Sequence, residues 1–379
     1  MKKNRILTPG PTPVPQEVLL SMAKPTIHHR TAQFRKIFKE VNDNLKYVFK
    51  TQNDIFTLSS SGTGAMEAAV VNLLSPGDTA ICVGGGKFAE RWSEICKTYS
   101  IKTIAIDVEW GNVVSPTEIE KTLDENKQIK VVFTTLSETS TGVLTDIKKI
   151  AQITGKRDVV IVTDAISALG GEELETDAWG VDVVVSGSQK GLMSPPGLAF
   201  CSVSPKAWKL VAVSKSPRYY FDFRIAKKAL DKGDTAFTPA ITLCIGLNTA
   251  LKMIKEETLE NVIQRQGRLA AALRRAMQAL GLELFASIPA NVVTSVCLPK
   301  GIDGDVLVAM MQNVYGVTIA GGQAHLKGKI IRIGSMGHMN EFDIITGISA
   351  LELVLCKMGY KFEHGVGVGA AQKELLKSE

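Results

Sequence analysis

The run Val183-Val184-Val185-Ser186-Gly187-Ser188-Gln189-Lys190 ends a β-branched stretch in small polar residues and delivers one lysine at its exit. An amine on a short rigid loop can be pressed against a carbonyl group and have its pKa lowered by its surroundings, the requirement for Schiff-base chemistry. A surface lysine closing a strand would have the same local sequence. Upstream, Val159-Val160-Ile161-Val162-Thr163-Asp164 puts an acid at the carboxyl end of another apolar run, where open α/β sheets bind their ligands. Asp164 could keep a heterocyclic nitrogen protonated, or it could cap the segment that follows.

Four further segments carry groups suited to the same chemistry. Ser59-Ser60-Ser61-Gly62-Thr63-Gly64 joins the strand-like Ile55–Leu58 to a helix opening near Ala65, so free N–H groups, hydroxyls and the positive end of the helix dipole meet at one place. That is a phosphate site, or a small-residue cap with no ligand; it has neither dinucleotide-fingerprint nor P-loop spacing. Ser137-Glu138-Thr139-Ser140-Thr141-Gly142 follows the run ending at Thr135 and sets hydroxyls at the same sheet edge, and Gly84-Gly85-Gly86-Lys87-Phe88 places an aromatic beyond a flexible loop. Phe88 could stack on a planar ring or serve the core. Arg332 stands inside Ile330-Ile331-Arg332-Ile333-Gly334, where a charge is costly unless paired; its partner is a ligand carboxylate or a structural Asp or Glu.

The elements that must position these groups read as an α/β sheet. Ile129–Thr135, Val159–Thr163 and Val181–Val185 are continuous apolar runs, the pattern of parallel strands buried on both faces, alternating with helix-length amphipathic segments over roughly the first 250 residues. One long helix is expected from near Pro239 to about Leu280, then strand material at Val292–Leu298, a helix near Gly304–Tyr315, a strand at Ile330–Gly334 and a helix over Asn340–Met358. The four prolines of Thr8–Pro15 exclude helix and central strand and predict an extended arm. The expected division is an arm over 1–15, a large domain over 16–255 and a smaller C-terminal α/β domain over 256–379. Gly365–Gly369 reads as a mobile tail with a short closing helix.

The 379 residues, 45% hydrophobic and 22% charged, are those of an ordinary globular enzyme-sized chain. A net charge of +6 from scattered lysines and arginines favours anionic ligands and does not form a nucleic-acid surface. Cys82, Cys96, Cys201, Cys244, Cys297 and Cys356 make no C-x-x-C pair and no Cys/His cluster, so reduced buried thiols and no metal are expected. With no signal-peptide core near Met1-Lys2-Lys3 and no apolar run of about 18 residues, a cytoplasmic protein without a membrane partner is expected.

Together these segments resemble the class V aminotransferases of pyridoxal-phosphate fold type I, in particular the alanine–glyoxylate and serine–pyruvate aminotransferase group. The resemblance spans nearly the whole chain, through Leu7-Thr8-Pro9-Gly10-Pro11, Ser61-Gly62-Thr63, Glu138-Thr139-Ser140-Thr141-Gly142, Thr163-Asp164-Ala165, Gly187-Ser188-Gln189-Lys190-Gly191, Pro195-Pro196-Gly197 and Arg332-Ile333-Gly334. It implies a large domain with a mostly parallel, seven-stranded sheet and a smaller C-terminal domain. It also implies Lys190 as the Schiff-base lysine and acid–base group, and Asp164 on the pyridine nitrogen. Ser61, Gly62, Thr63 and Gln189 would take the phosphate, Thr139 the phenolic oxygen, Phe88 the ring face, and Arg332 with Gly10 the substrate. A homodimer is implied, with Thr238 of the segment Asp234–Pro239 the best candidate to reach the neighbour's phosphate site. The residues around Tyr219, Tyr220 and the arm are expected to shape the side-chain pocket.

The activity implied is ping-pong transfer of an amino group from a small amino acid, alanine or serine, to glyoxylate or pyruvate. Phosphoserine or aspartate aminotransferases of the same class are the alternatives. A cysteine desulfurase would place His at the positions of Gln189 and Phe88. Outside the fold, a nucleotide-binding oxidoreductase lacks its fingerprint, and a catalytically silent subunit would not need lysine, Asp and arginine together.

Overall fold

A computed structural model describes residues 3–377; Met1, Lys2, Ser378 and Glu379, the ends of the expected arm and tail, lie outside the described residues. Its centre is a seven-stranded sheet in the order Asp54–Leu58, Ala199–Val203, Val183–Gly187, Val160–Asp164, Ile129–Thr135, Thr79–Val83, Lys102–Ile106. Only Ala199–Val203 runs antiparallel to its neighbours. Successive side chains of a strand point to opposite faces, and the sequence uses both. Val132, Ile161 and Val184 enter a core with the helix Ala32–Phe49, whereas Val131, Val162 and Val185 enter one with the helices Gly62–Leu73 and Lys87–Thr98. Double-sided burial is why these strands are continuous apolar runs in the sequence.

A third core surrounds the antiparallel sheet Val293–Cys297, Ile330–Gly334, Ala320–Gly321. The extended arm belongs with this part of the molecule: Arg5–Ile6 pairs in parallel with Val317–Thr318, and Leu7 is buried in the third core.

Two expectations are corrected. The helix expected from near Pro239 to Leu280 is two helices, Ile241–Glu257 and Leu259–Ala279, broken at Thr258, whose φ of 69° is left-handed. Thr258 Oγ1 caps the second helix by accepting from Asn261 N, and the Tyr47 hydroxyl accepts from Leu259 N, so the freed amides are satisfied at the break. Gly365–Gly369 is not a mobile tail but the start of the helix Val366–Leu376. The carboxylate of Glu352 accepts from Gly365 N, Gly367 N and Val368 N, and Leu375 and Ala371 are buried against the third core.

Candidate active site

The parallel strands deliver their carboxyl ends to one side of the large sheet, and five of the loops that follow meet there. Ser61, Gly62, Thr63, Phe88, Ser137, Thr139, Asp164, Gln189 and Lys190 line one cavity of about 280 Å³, together with Gly10 of the arm. The sequence elements expected to carry chemistry therefore converge, although they span residues 10 to 190.

Burial pushes the Lys190 amine down to about 8, against the opposing pull of Asp164, and the nearby Arg332 charge lowers it further. Its Nζ donates to the Pro9 carbonyl. Asp164 is pushed up to about 7, chiefly by burial and also by the Glu138 charge; Arg91 and Lys190 oppose that rise. Asp164 Oδ1 accepts from Ile166 N at 2.7 Å, so the local cap considered from the sequence is present, but it engages one oxygen only.

Ser61 is the N-cap residue of the helix Gly62–Leu73, yet its hydroxyl makes no capping bond. The amides of Gly62 and Thr63 and that hydroxyl are consequently available to an anion at the positive end of a twelve-residue helix, whereas the Gly64 amide donates to Ser61 O at 2.9 Å. Gln189 Oε1 and Ser137 Oγ are buried and have no hydrogen-bond partner. Such groups cost about 1–3 kcal/mol each when left unpaired, and both sit on the cavity wall. The Thr139 hydroxyl, in contrast, is hydrogen-bonded to Ser167 Oγ.

Arg332 has neither an Asp nor a Glu within ion-pair range among the described residues, which removes the structural-partner alternative. Its Nε donates to Gly321 O and its Nη1 to Thr139 O, each at 2.9 Å. Desolvation pulls its pKa down to about 10, with Glu138 opposing, and two carbonyls leave the cation without a counter-charge.

Thr238 does not join this cavity. It lies with Asp234, Phe237 and Tyr220 in a separate groove along Ile55–Ser59. Tyr219 and Tyr220, expected near the substrate side chain, instead pack on Phe237 at 5.7 and 5.1 Å between ring centroids, and neither lines the Lys190 cavity. Tyr219 is 74% exposed.

Several site residues escaped the sequence reading. Arg91 lines the cavity, donates to Thr63 Oγ1 at 3.1 Å and stands 5.1 Å above the Phe88 ring. It is three residues beyond Phe88, on the same helix face, and that spacing was the available signal. The Pro9 carbonyl, Ser167 and Glu138 were also missed. Of the six cysteines, all unpaired, Cys297 is only partly buried and Cys356 is exposed, which departs from the expected uniform burial; none lines the cavity.

The family model for Aminotransferase class-V matches residues 6–343. The chain is 43% identical to a protein of Synechococcus sp. described as the small subunit of a soluble hydrogenase, with 98% of each chain covered. It is 35% identical to the L-aspartate–glyoxylate aminotransferase of Paracoccus denitrificans, over 98% of this chain and 96% of the relative. Among solved structures, the ureidoglycine–glyoxylate aminotransferase of Bacillus subtilis superposes with a TM-score of 0.95 at 29% identity, covering 99% of this chain and 98% of that one. With the matched model spanning most of the chain and a lysine, an acid, an unused helix N-terminus and an uncompensated arginine brought together, the chain belongs to the class V aminotransferases.

Proposed function

We propose that this transaminase works with pyridoxal phosphate, held in the Lys190 cavity, and moves an amino group from alanine or serine to glyoxylate or pyruvate. The observation that carries the reading is the pairing of a desolvated amine, Lys190, with a desolvated acid, Asp164, in one cavity whose wall offers unpaired polar atoms. The residues suit the cofactor. Ser61, Gly62 and Thr63 at the helix N-terminus, with Gln189 behind them, match a phosphate; Asp164 matches a ring nitrogen, Phe88 a ring face, and Thr139 or the free Ser137 hydroxyl a phenolic oxygen. When bound, pyridoxal phosphate supplies an aldehyde that condenses with amines and a protonated ring that accepts the electron pair released at Cα.

The remaining work falls to the chain. Arg332, lacking a counter-charge, binds the substrate α-carboxylate and fixes which Cα bond faces Lys190, a positioning effect of several kcal/mol. Lys190, with its pKa near 8, carries a useful fraction of free amine at neutral pH and would take the proton from the substrate Cα and hand it on to the carbon that was the cofactor's aldehyde. Asp164 stays ionised opposite a cationic nitrogen, because a nearby positive charge offsets the burial that raises its pKa. Gly10, Pro11 and Pro196 make their part of the wall small and uncharged, which favours a short donor side chain.

Similarity to two enzymes named for glyoxylate supports that acceptor. Aspartate as donor would need a second cation besides Arg332, which stands behind the wall on the Thr139 carbonyl, and Arg91, the arginine that lines the cavity, is turned to Thr63 and Phe88. Desulfurase chemistry lacks support, since no cysteine reaches the cavity. A homodimer in which Thr238 serves the neighbour's phosphate is also part of the proposal, supported by the exposed aromatic groove it occupies. So is a cytoplasmic location; no helix among the described residues is long and apolar enough to cross a membrane.

Borohydride reduction of the protein loaded with pyridoxal phosphate, followed by peptide mass analysis, should find the adduct on Lys190. A panel of amino donors against glyoxylate and pyruvate should then show turnover with alanine or serine. An adduct elsewhere, or no turnover with any donor, defeats the reading; preference for aspartate or phosphoserine would replace the donor.

A further inference from the structure

We propose that Glu138 is a positioning residue that ties the Phe88 ring and the Arg332 guanidinium to one turn of the chain. The inference rests on the transaminase reading above and concerns how that site is held.

Glu138 lies on the short strand Ser137–Glu138, paired with Val143–Leu144, and is 4% exposed. Its Oε2 accepts from Ala89 N at 2.8 Å, and its Oε1 accepts from Ser140 N at 2.9 Å, from Ser140 Oγ at 2.7 Å and, more weakly, from Phe88 N at 3.4 Å. Ser140 Oγ in turn accepts from Lys87 N at 3.0 Å. The first three amides of the helix Lys87–Thr98 are thus capped from residues 138–140, not from their own N-cap, Gly86, which has no side chain to offer. Gly86 has to be glycine: a Cβ there would run into Glu138 Cγ and Cδ. Burial pushes the Glu138 pKa up, but the hydrogen bonds from Ser140, Ala89 and Phe88 oppose that rise; every partner of the carboxyl is a donor, the bonding set of a carboxylate, and a negative charge at a helix N-terminus is favourable.

The same turn faces the substrate side. Thr139 O accepts from Arg332 Nη1, and Thr139 Oγ1 is bonded to Ser167, three residues beyond Asp164. Phe88 on one flank, Arg332 on the other and the Asp164 segment beneath therefore share a three-residue support that Glu138 pins. The charged groups its field reaches are Asp164 and Arg332, and Asp164 in turn faces Arg91 and Lys190. Its field raises the pKa of both Asp164 and Arg332, so it acts on them electrostatically as well as through the turn.

The test uses the cofactor-loaded enzyme and two variants. Glu138→Gln keeps the shape but turns one acceptor into a donor facing an N–H. Ser140→Ala breaks one link only and leaves the charge. Expected for Glu138→Gln are a weakened visible circular-dichroism band of the bound cofactor and a KM for the amino donor raised about tenfold, the effect of roughly 1.4 kcal/mol. Its acid limb in the pH–rate profile should move to lower pH, because Asp164 loses a neighbouring negative charge. Ser140→Ala should raise KM by a smaller factor without moving that limb. Variants with wild-type KM, dichroism and pH profile, differing only in melting temperature, would overturn the proposal and leave a plain structural cap. If Glu138→Gln fails to fold, an unchanged KM and dichroism in Ser140→Ala overturns it equally. Failure of the wild-type protein to bind the cofactor or to transaminate would instead strike the functional reading beneath it.

Discussion

Gly10 lies against the side chain of Lys190 so closely that a Cβ at position 10 would overlap Cδ, Cε and Nζ of the lysine. The arm is thus part of the site: Pro9 O accepts the Lys190 amine, and Thr12 Oγ1 donates to Lys190 O at 2.9 Å. Gly10 also has a φ of +119°, a conformation that side chains rarely adopt. Gly10→Ala must displace either the arm or the amine. The expected outcome is a loss in kcat/KM of about 100-fold or more, on the order of 3 kcal/mol of transition-state stabilisation. Steady-state kinetics on the cofactor-loaded variant checks it, and near-normal turnover would show that Lys190 does not use this packed position.

The protein without cofactor should lose stability as pH rises from about 4 to about 7. Asp164 keeps its proton to about 7 in the folded chain because it is buried, and Glu172, buried beside Asn291 and Val292, behaves likewise. In the unfolded chain both ionise in the ordinary carboxylate range. Between the two limits the folded state binds more protons than the unfolded one, so stability falls with rising pH, by about 1.4 kcal/mol per tenfold change in proton affinity. Melting curves from pH 4.5 to 7.5 should show the fall, Asp164→Asn should flatten part of it, and bound pyridoxal phosphate should flatten it further by offering Asp164 a cation. A melting temperature that rises across this range would contradict the assigned burial effect.

Much of this architecture can be read from residues alone, and the reasons are local. Runs such as Val159–Thr163 are long enough and apolar enough to demand a strand buried on both sides, and the polar residue ending each run, Asp164 or Lys190, falls where such sheets bind ligands. What resisted reading depends on contacts between distant segments. Glu138 is one acid among several until Gly86, Ala89 and Ser140 are seen around it. Arg332 announces an unmet charge, but only the structure shows that Gly321 and Thr139 offer it carbonyls and no acid. The break at Thr258 has no glycine or proline to mark it and depends on the Tyr47 hydroxyl from another helix. The glycines of 365–369 suggested mobility because their anchor, Glu352, lies on a different element.

Replacing Arg332 by lysine should impair substrate binding much more than cofactor binding. The guanidinium uses Nε and Nη1 on carbonyls of two separate segments and keeps further N–H groups for a carboxylate, a division that a single ammonium cannot reproduce. In Arg332→Lys, KM for the amino donor should rise about tenfold or more, while the cofactor dissociation constant changes less than about threefold, following the loss of a bidentate charge-assisted contact. Titration of the variant with pyridoxal phosphate, alongside donor saturation curves, separates the two. Equal losses in both would place Arg332 among the cofactor's supports instead.

The C-terminal helix gives a contrasting expectation, in which stability moves and chemistry does not. Glu352 accepts from Gly365 N at 3.0 Å, Gly367 N at 2.7 Å and Val368 N at 3.2 Å, and Gly367 packs so tightly that a Cβ would meet Glu352 Oε1 and Leu280. Glu352→Ala leaves three amides at the start of the helix Val366–Leu376 without their acceptor, a loss of about 1–3 kcal/mol. The helix should then open locally before the rest of the chain, because what still holds it is its packing on the third core and the half-exposed ion pair between Glu374 and Arg275. Hydrogen exchange should show faster amides over 365–376, and limited proteolysis should cut first near Gly365. Neither Glu352 nor this helix lines the Lys190 cavity, so kcat and KM of the folded enzyme should be unchanged. A variant that keeps wild-type exchange in that segment would show that apolar packing alone holds the helix.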